Sequence, residues 1–63
     1  MITVTYQQQT WHVPGPIVVR DLIERVGLTP ATVLAVRQGQ LVLDSVMLDD
    51  DEEIRLIAVI VGG

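Results

Sequence analysis

The chain has no cysteine, no lysine and no phenylalanine, and each absence narrows what it can be. Without cysteine there is no disulfide framework, no thiolate metal site and no nucleophilic thiol. Without lysine, all four basic residues are arginines; they face eight acids and leave a formal net charge of −4. That balance argues against direct binding to nucleic acid or to an anionic membrane surface. One Trp and one Tyr are the only aromatic residues, so the core is aliphatic and offers little flat surface for stacking on bases or sugars. No apolar run approaches the roughly 20 residues that cross a bilayer. The N-terminus is strand-like from Ile2 and lacks the charged-then-apolar pattern of a signal peptide. The expectation is a cytoplasmic protein, monomeric alone, with no membrane or nucleic-acid partner.

Sixty-three residues make one domain. A chain this short buries only about 60% of the surface its unfolded form exposes, so the core must be efficient. Ile2-Thr3-Val4-Thr5-Tyr6 alternates at period two, which puts Ile2, Val4 and Tyr6 on one buried strand face. After the polar break Gln7-Gln8-Gln9, Thr10-Trp11-His12-Val13 reads as a second strand and completes a hairpin. Pro14-Gly15-Pro16 then ends strand structure, because neither proline can donate to a ladder. The period changes next: Val19, Leu22, Ile23 and Val26 fall at i, i+3, i+4 and i+7, an amphipathic helix of about nine residues. Gly27 suits the left-handed position after its last turn, with Leu28 tucking back and Pro30 preventing continuation. At the other end, Ile17 and Val18 supply no capping oxygen.

Residues 32–37 return to strand composition, and Gln38-Gly39 reads as a tight turn into Leu41-Val42-Leu43. Residues 44–48 read as irregular, with Val46, Met47 or Leu48 anchoring them to the core. The acidic turn at 49–53 leads into a last strand at 54–61 that is dense in β-branched residues. The order is β-β-α-β-β-β. Placing the first and last strands side by side, with the helix as the crossover, gives a two-layer α+β fold. This is the β-grasp arrangement: a mixed sheet of four to five strands packed on one helix. The expected division is a domain at 1–61 and a flexible Gly-Gly tail at 62–63.

Parity along the last strand assigns Ile54, Leu56, Ala58 and Ile60 to the helix side, leaving Arg55, Ile57, Val59 and Val61 outward. In the preceding long strand, Val33 and Ala35 point inward while Leu34 and Val36 point out. Leu34, Val36, Ile57 and Val59 then form an exposed aliphatic cluster leading through Val61 to the tail, the mark of an interaction surface. Asp50 and Asp51, within the acidic turn, are candidates for steering a basic partner. Consecutive acids lack the spaced ligands of a calcium loop, so no metal site is expected. His12 has no polar partner in sequence and reads as a surface strand residue, and Trp11 as a partly buried packing residue.

The string from Asp21 through Pro30 (DLIERVGLTP), then Thr32 through Gly39 (TVLAVRQG), then the terminal Gly62-Gly63, resembles the ThiS/MoaD family of ubiquitin-like sulfur carriers. The resemblance covers essentially the whole chain and is nearest to ThiS and the tRNA 2-thiolation carriers. It departs from the family pattern at three points: Gln38-Gly39 stands for Asn-Gly, Asp49-Asp50-Asp51 lacks the usual glycine, and Val18 replaces a Thr. The resemblance implies a protein co-substrate rather than an enzyme. A ubiquitin-activating-type enzyme, using ATP and magnesium, would adenylate the Gly63 carboxylate. Sulfur from a cysteine desulfurase or rhodanese-type donor would convert it to a thiocarboxylate for a sulfur-accepting biosynthetic enzyme. The product would be thiamine, a thiolated tRNA or molybdopterin, and the chain itself would bind no cofactor. Gly62 would be the second residue of the threading tail. Its chemistry fits: two residues reach roughly 7 Å into a narrow channel, and glycine allows close approach at any backbone angle.

Two other functions fit the same features. A protein modifier would transfer the activated Gly63 to lysines of other proteins, although chains built on this protein could use only the Met1 amine. A non-covalent adaptor would leave the two glycines idle.

Overall fold

The computed structural model describes residues 1–59; Ile60, Val61, Gly62 and Gly63 lie outside the described residues, and with them the expected tail. The first hairpin forms as its alternation requires, from β1 (Ile2–Tyr6) and β2 (Gln9–Val13), with Tyr6 opposite Gln9. Its two-residue loop puts Gln7 at φ 53°, a left-handed conformation that an L-residue adopts at a cost of about 1–2 kcal/mol. Ile2 and Val4 are fully buried, and Tyr6 and Trp11 pack against the same core from its margin.

The helix is shorter than its periodicity suggests. β3 (Ile17–Val18) runs directly into α1 (Val19–Arg25), and Val26 is already the terminal residue. Gly27, at φ 89°, completes a Schellman ending: the Leu28 amide donates to the Ile23 carbonyl and the Gly27 amide to Glu24, both at 3.0 Å. The missing N-terminal cap has a tertiary substitute. The Val19 and Arg20 amides donate to the backbone carbonyls of Val46 and Asp44, each at 2.9 Å. Segment 44–46 therefore satisfies donors that a Ser or Thr side chain would otherwise take.

That segment is held by a pairing too short to show in sequence. β6 (Met47–Leu48) lies antiparallel to β3, with Ile17 opposite Leu48, so residues expected to be irregular form a second, two-stranded sheet. Leu48 is its anchor, with 0% exposure. A short 3-10 turn, Pro30–Thr32, leads into β4 (Val33–Arg37), which turns back into β5 (Gln40–Val42). Gln38 and Gly39 both take positive φ, 52° and 80°, as a two-residue hairpin turn with right-handed twist demands. β7 (Glu53–Ala58) completes the main sheet, in the order β2-β1-β7-β4-β5.

β7 runs parallel to β1 and antiparallel to β4, so the sheet is mixed and the last strand is its centre. The architecture is α+β, one helix and a five-stranded mixed sheet, consistent with a β-grasp-like fold. Val19, Leu22 and Ile23 of α1 pack with Ile54 and Leu56 of β7 and Val33 and Ala35 of β4 in one aliphatic core. Among the described residues no polar or charged side chain is buried. No helix among them is long and apolar enough to cross a membrane.

The corner after β2 depends on one glycine. A Cβ at Gly15 would stand 2.8 Å from Ile2 Cδ1 and 2.9 Å from the Asp50 Cα, and the second of these is backbone that cannot swing aside. The Gly15 amide also donates to the Asp50 carboxylate at 2.8 Å, which joins the Pro14-Gly15-Pro16 corner to the acidic turn.

Candidate functional site

The two faces of the main sheet differ in kind. The inward face is aliphatic and covered by α1. The other is left uncovered by the described residues, and parity puts Leu34, Val36, Arg55 and Ile57 on it. Leu34 and Ile57 are direct cross-strand neighbours on β4 and β7, exposed to 45% and 46%. Two large aliphatic side chains side by side and open to water are the kind of feature that marks an interaction surface. Val36 is half-buried and lies between Arg55 on β7 and Leu41 on β5. Val59, just past the end of β7, is exposed at its side chain, while its amide donates to the Thr32 carbonyl at 2.8 Å. That bond keeps the outgoing chain against the start of β4.

The register thus brings together Leu34, Val36 and Ile57 of the residues assigned to this face, leaves Val59 exposed just past it, and adds Leu41, exposed to 66%. Sequence reasoning placed Leu41 in a strand but gave it no face. The available signal was its pairing with Val36 across a two-residue turn, which puts both on the same side. Ala58 departs from its expected burial. It keeps the inward register opposite Val33 but is exposed, because the core's last member on β7 is Leu56. The expected tail residues Val61, Gly62 and Gly63 lie outside the described residues.

The acidic turn is partly occupied with its own chain. The Asp50 carboxylate accepts the Gly15 amide at 2.8 Å and lies 3.5 Å from the Met1 amine. Glu52 pairs with Arg37 at 3.1 Å and accepts the Asp49 amide at 2.6 Å through its other oxygen, closing the turn. Asp51 is exposed and forms no ion pair among the described residues. Among those residues, no group of three acids, histidines or cysteines stands close enough to hold a metal ion.

The Gly15 hydrogen bond, then the positive Met1 amine, hold the Asp50 carboxyl below its ordinary value. A carboxylate with a folded pKa below its unfolded one, about 3.9, stabilises the fold above that value and loses the contribution as pH falls through the folded pKa. Asp50→Ala should therefore lower the urea midpoint at neutral pH, and the gap to the unaltered chain should close below about pH 4. Urea titrations between neutral pH and pH 2 read this directly. A gap that persisted unchanged at the acid end would mean that Asp50 acts through packing rather than charge.

A scan against protein-family models finds no match for this chain, and a search of curated proteins finds none either.

Proposed function

We propose that this protein is a ubiquitin-like sulfur carrier of the ThiS/MoaD type, a co-substrate whose Gly63 carboxylate is adenylated by a ubiquitin-activating-type enzyme. The observation that carries the reading is the position of β7. The strand at the centre of the sheet runs toward Gly62-Gly63, past an uncovered aliphatic patch built from its own Ile57 and the adjoining Leu34. A central strand is anchored on both sides by ladders, so it gives the C-terminal residues a rigid base. The α+β architecture with one helix is the framework the resemblance implies.

In this reading Leu34, Val36, Ile57 and Val59 dock the adenylating enzyme, together with Val61, which lies outside the described residues. The enzyme supplies ATP and magnesium. A carboxylate oxygen of Gly63 attacks the α-phosphorus and pyrophosphate leaves. The outer sulfur of a persulfide on a desulfurase or rhodanese-type donor then displaces AMP at the acyl carbon. A thiol of the donor or activating enzyme cleaves the acyl disulfide, releasing the thiocarboxylate and leaving a disulfide. The chain carries no cysteine, so the sulfur it delivers comes from that donor. Of the two aspartates assigned to steering, Asp51 is the one whose charge its own chain leaves unpaired among the described residues, whereas Asp50 is tied to Gly15 and Met1.

Mass spectrometry of the protein purified from its native cells tests the proposal. A sulfur carrier should show a fraction of molecules with one oxygen replaced by sulfur at Gly63. A tryptic remnant of residues 56–63, left by cleavage after Arg55, on lysines of other proteins and without that exchange would indicate a modifier instead. An unmodified terminus in cells starved of the sulfur acceptor, where charged carrier accumulates, would count against the carrier, and if no remnant is found on other proteins either, against the modifier too.

A further inference from the structure

The uncovered face of the sheet carries a cation with no partner among the described residues. Arg55 stands in the middle of β7, exposed, opposite Thr5 of β1 on one side and Val36 of β4 on the other. The three ion pairs among the described residues engage the Met1 amine, Arg20 and Arg37. Arg55 and Arg25 are left without a carboxylate among those residues. Arg25 has a local use, since it lies in the last turn of α1, where a positive charge complements the helix dipole. Arg55 has none. Glu53, two residues back on the same face, forms no ion pair with it, and Ile57 lies two residues ahead. At the centre of a sheet beside Val36, a β-branched or aromatic residue would suit the strand better.

We infer that Arg55 is the specificity-determining residue of this docking face, and that it selects a partner surface presenting a carboxylate set among aliphatic side chains. The inference rests on the sulfur-carrier reading and names what that reading leaves open. An apolar partner laid over Leu34, Val36 and Ile57 would cover the guanidinium as well, and a desolvated charge without a counter-ion opposes binding. A carboxylate opposite Arg55 removes that penalty, because the planar guanidinium can engage both of its oxygens at once. The arginine therefore rejects surfaces that match the aliphatic patch alone, which is specificity by exclusion. Its stem can lie along Val36 and Ile57, so the charge and the patch are read together.

The test uses the full chain and the ubiquitin-activating-type adenylating enzyme encoded in the same genome, with ATP–pyrophosphate exchange as the readout. KM and kcat are measured for the unaltered carrier, R55K, R55A and R55E, with R25E as a control of equal charge change. Urea midpoints are taken for each variant. R55E should raise KM roughly tenfold or more while kcat stays within about twofold, because a like charge at the contact weakens docking rather than chemistry. R55A should show a smaller rise in KM, R55K less again, and R25E none. Replacing the facing acid of the enzyme by arginine should restore R55E. Exchange by R55E at the KM of the unaltered chain, or an equal rise with R25E, would overturn the inference and leave the carrier reading standing. Absence of exchange with the unaltered chain would remove both.

Discussion

A chain lacking Gly63 should melt like the full protein and lose ATP–pyrophosphate exchange with the adenylating enzyme by at least about 100-fold. The first half follows from where the core ends. Among the described residues its last member in sequence is Leu56, seven positions before Gly63. The second half follows from reach. One residue of extended chain is about 3.3–3.6 Å, so the shortened terminus stops short by a distance comparable with the whole near-attack separation of about 3–3.5 Å. A displacement of about 1 Å can already reduce a rate by two orders of magnitude. The expected loss is therefore at least 100-fold. A chain extended by one glycine should fail similarly, since it overshoots by the same distance. Both variants should still compete with the unaltered carrier for the enzyme, because the docking face is intact. Normal exchange by the shortened chain would end the carrier proposal, and an adaptor with idle glycines would be the reading left.

On the proposed carrier reading, docking and charging would be separable on this molecule, and the separation would have a structural origin. Leu34, Val36 and Ile57 are fixed by two ladders, β4 to β7 and β4 to β5, whereas the proposed reacting group, the Gly63 carboxylate, comes after the last strand in sequence. Interactions made by the face are the same before and during the reaction, so they set KM. Interactions made by the terminus exist only once it is threaded, so they set kcat.

Elements carried by local periodicity were legible in the sequence. The alternation from Ile2 to Tyr6, the helical spacing of Val19, Leu22 and Ile23, and the parity of Ile54 to Ile57 each place the correct side chains inward. Gly27 marked the helix end because a left-handed residue there has few alternatives. The illegible parts depend on partners far away in sequence. Ile17-Val18 and Met47-Leu48 are too short for any period, and they become strands only by finding each other. The helix start lacked a capping residue because Asp44 and Val46 supply carbonyls from the far side of the domain. Asp50 looked like one of a row of solvated acids, yet it is tied to Gly15 across 35 positions. The docking face stood between these cases: parity found Leu34 and Ile57, while Leu41 needed the register of the β4–β5 hairpin.

Leu48→Ala should remove most of the stability of the domain. Leu48 is fully buried, and truncating a buried leucine to alanine costs roughly 2–5 kcal/mol through lost transfer energy and the cavity left behind. A domain of this length has about 3–9 kcal/mol in total, at the usual yield per residue. The loss is thus comparable with the whole. It is made worse by position, because β6 fixes segment 44–46, whose carbonyls accept the first amides of α1. Loosening Leu48 withdraws the helix cap together with the side chain. Leu43→Ala is the matched control: the same chemistry five residues earlier, at a site exposed to 74%, should change stability by less than about 0.5 kcal/mol. Urea unfolding followed by far-UV circular dichroism reads both. Equal midpoints for Leu48→Ala and Leu43→Ala would mean that the β3–β6 sheet does not anchor the helix start, and that α1 is held by its own face against β4 and β7 alone.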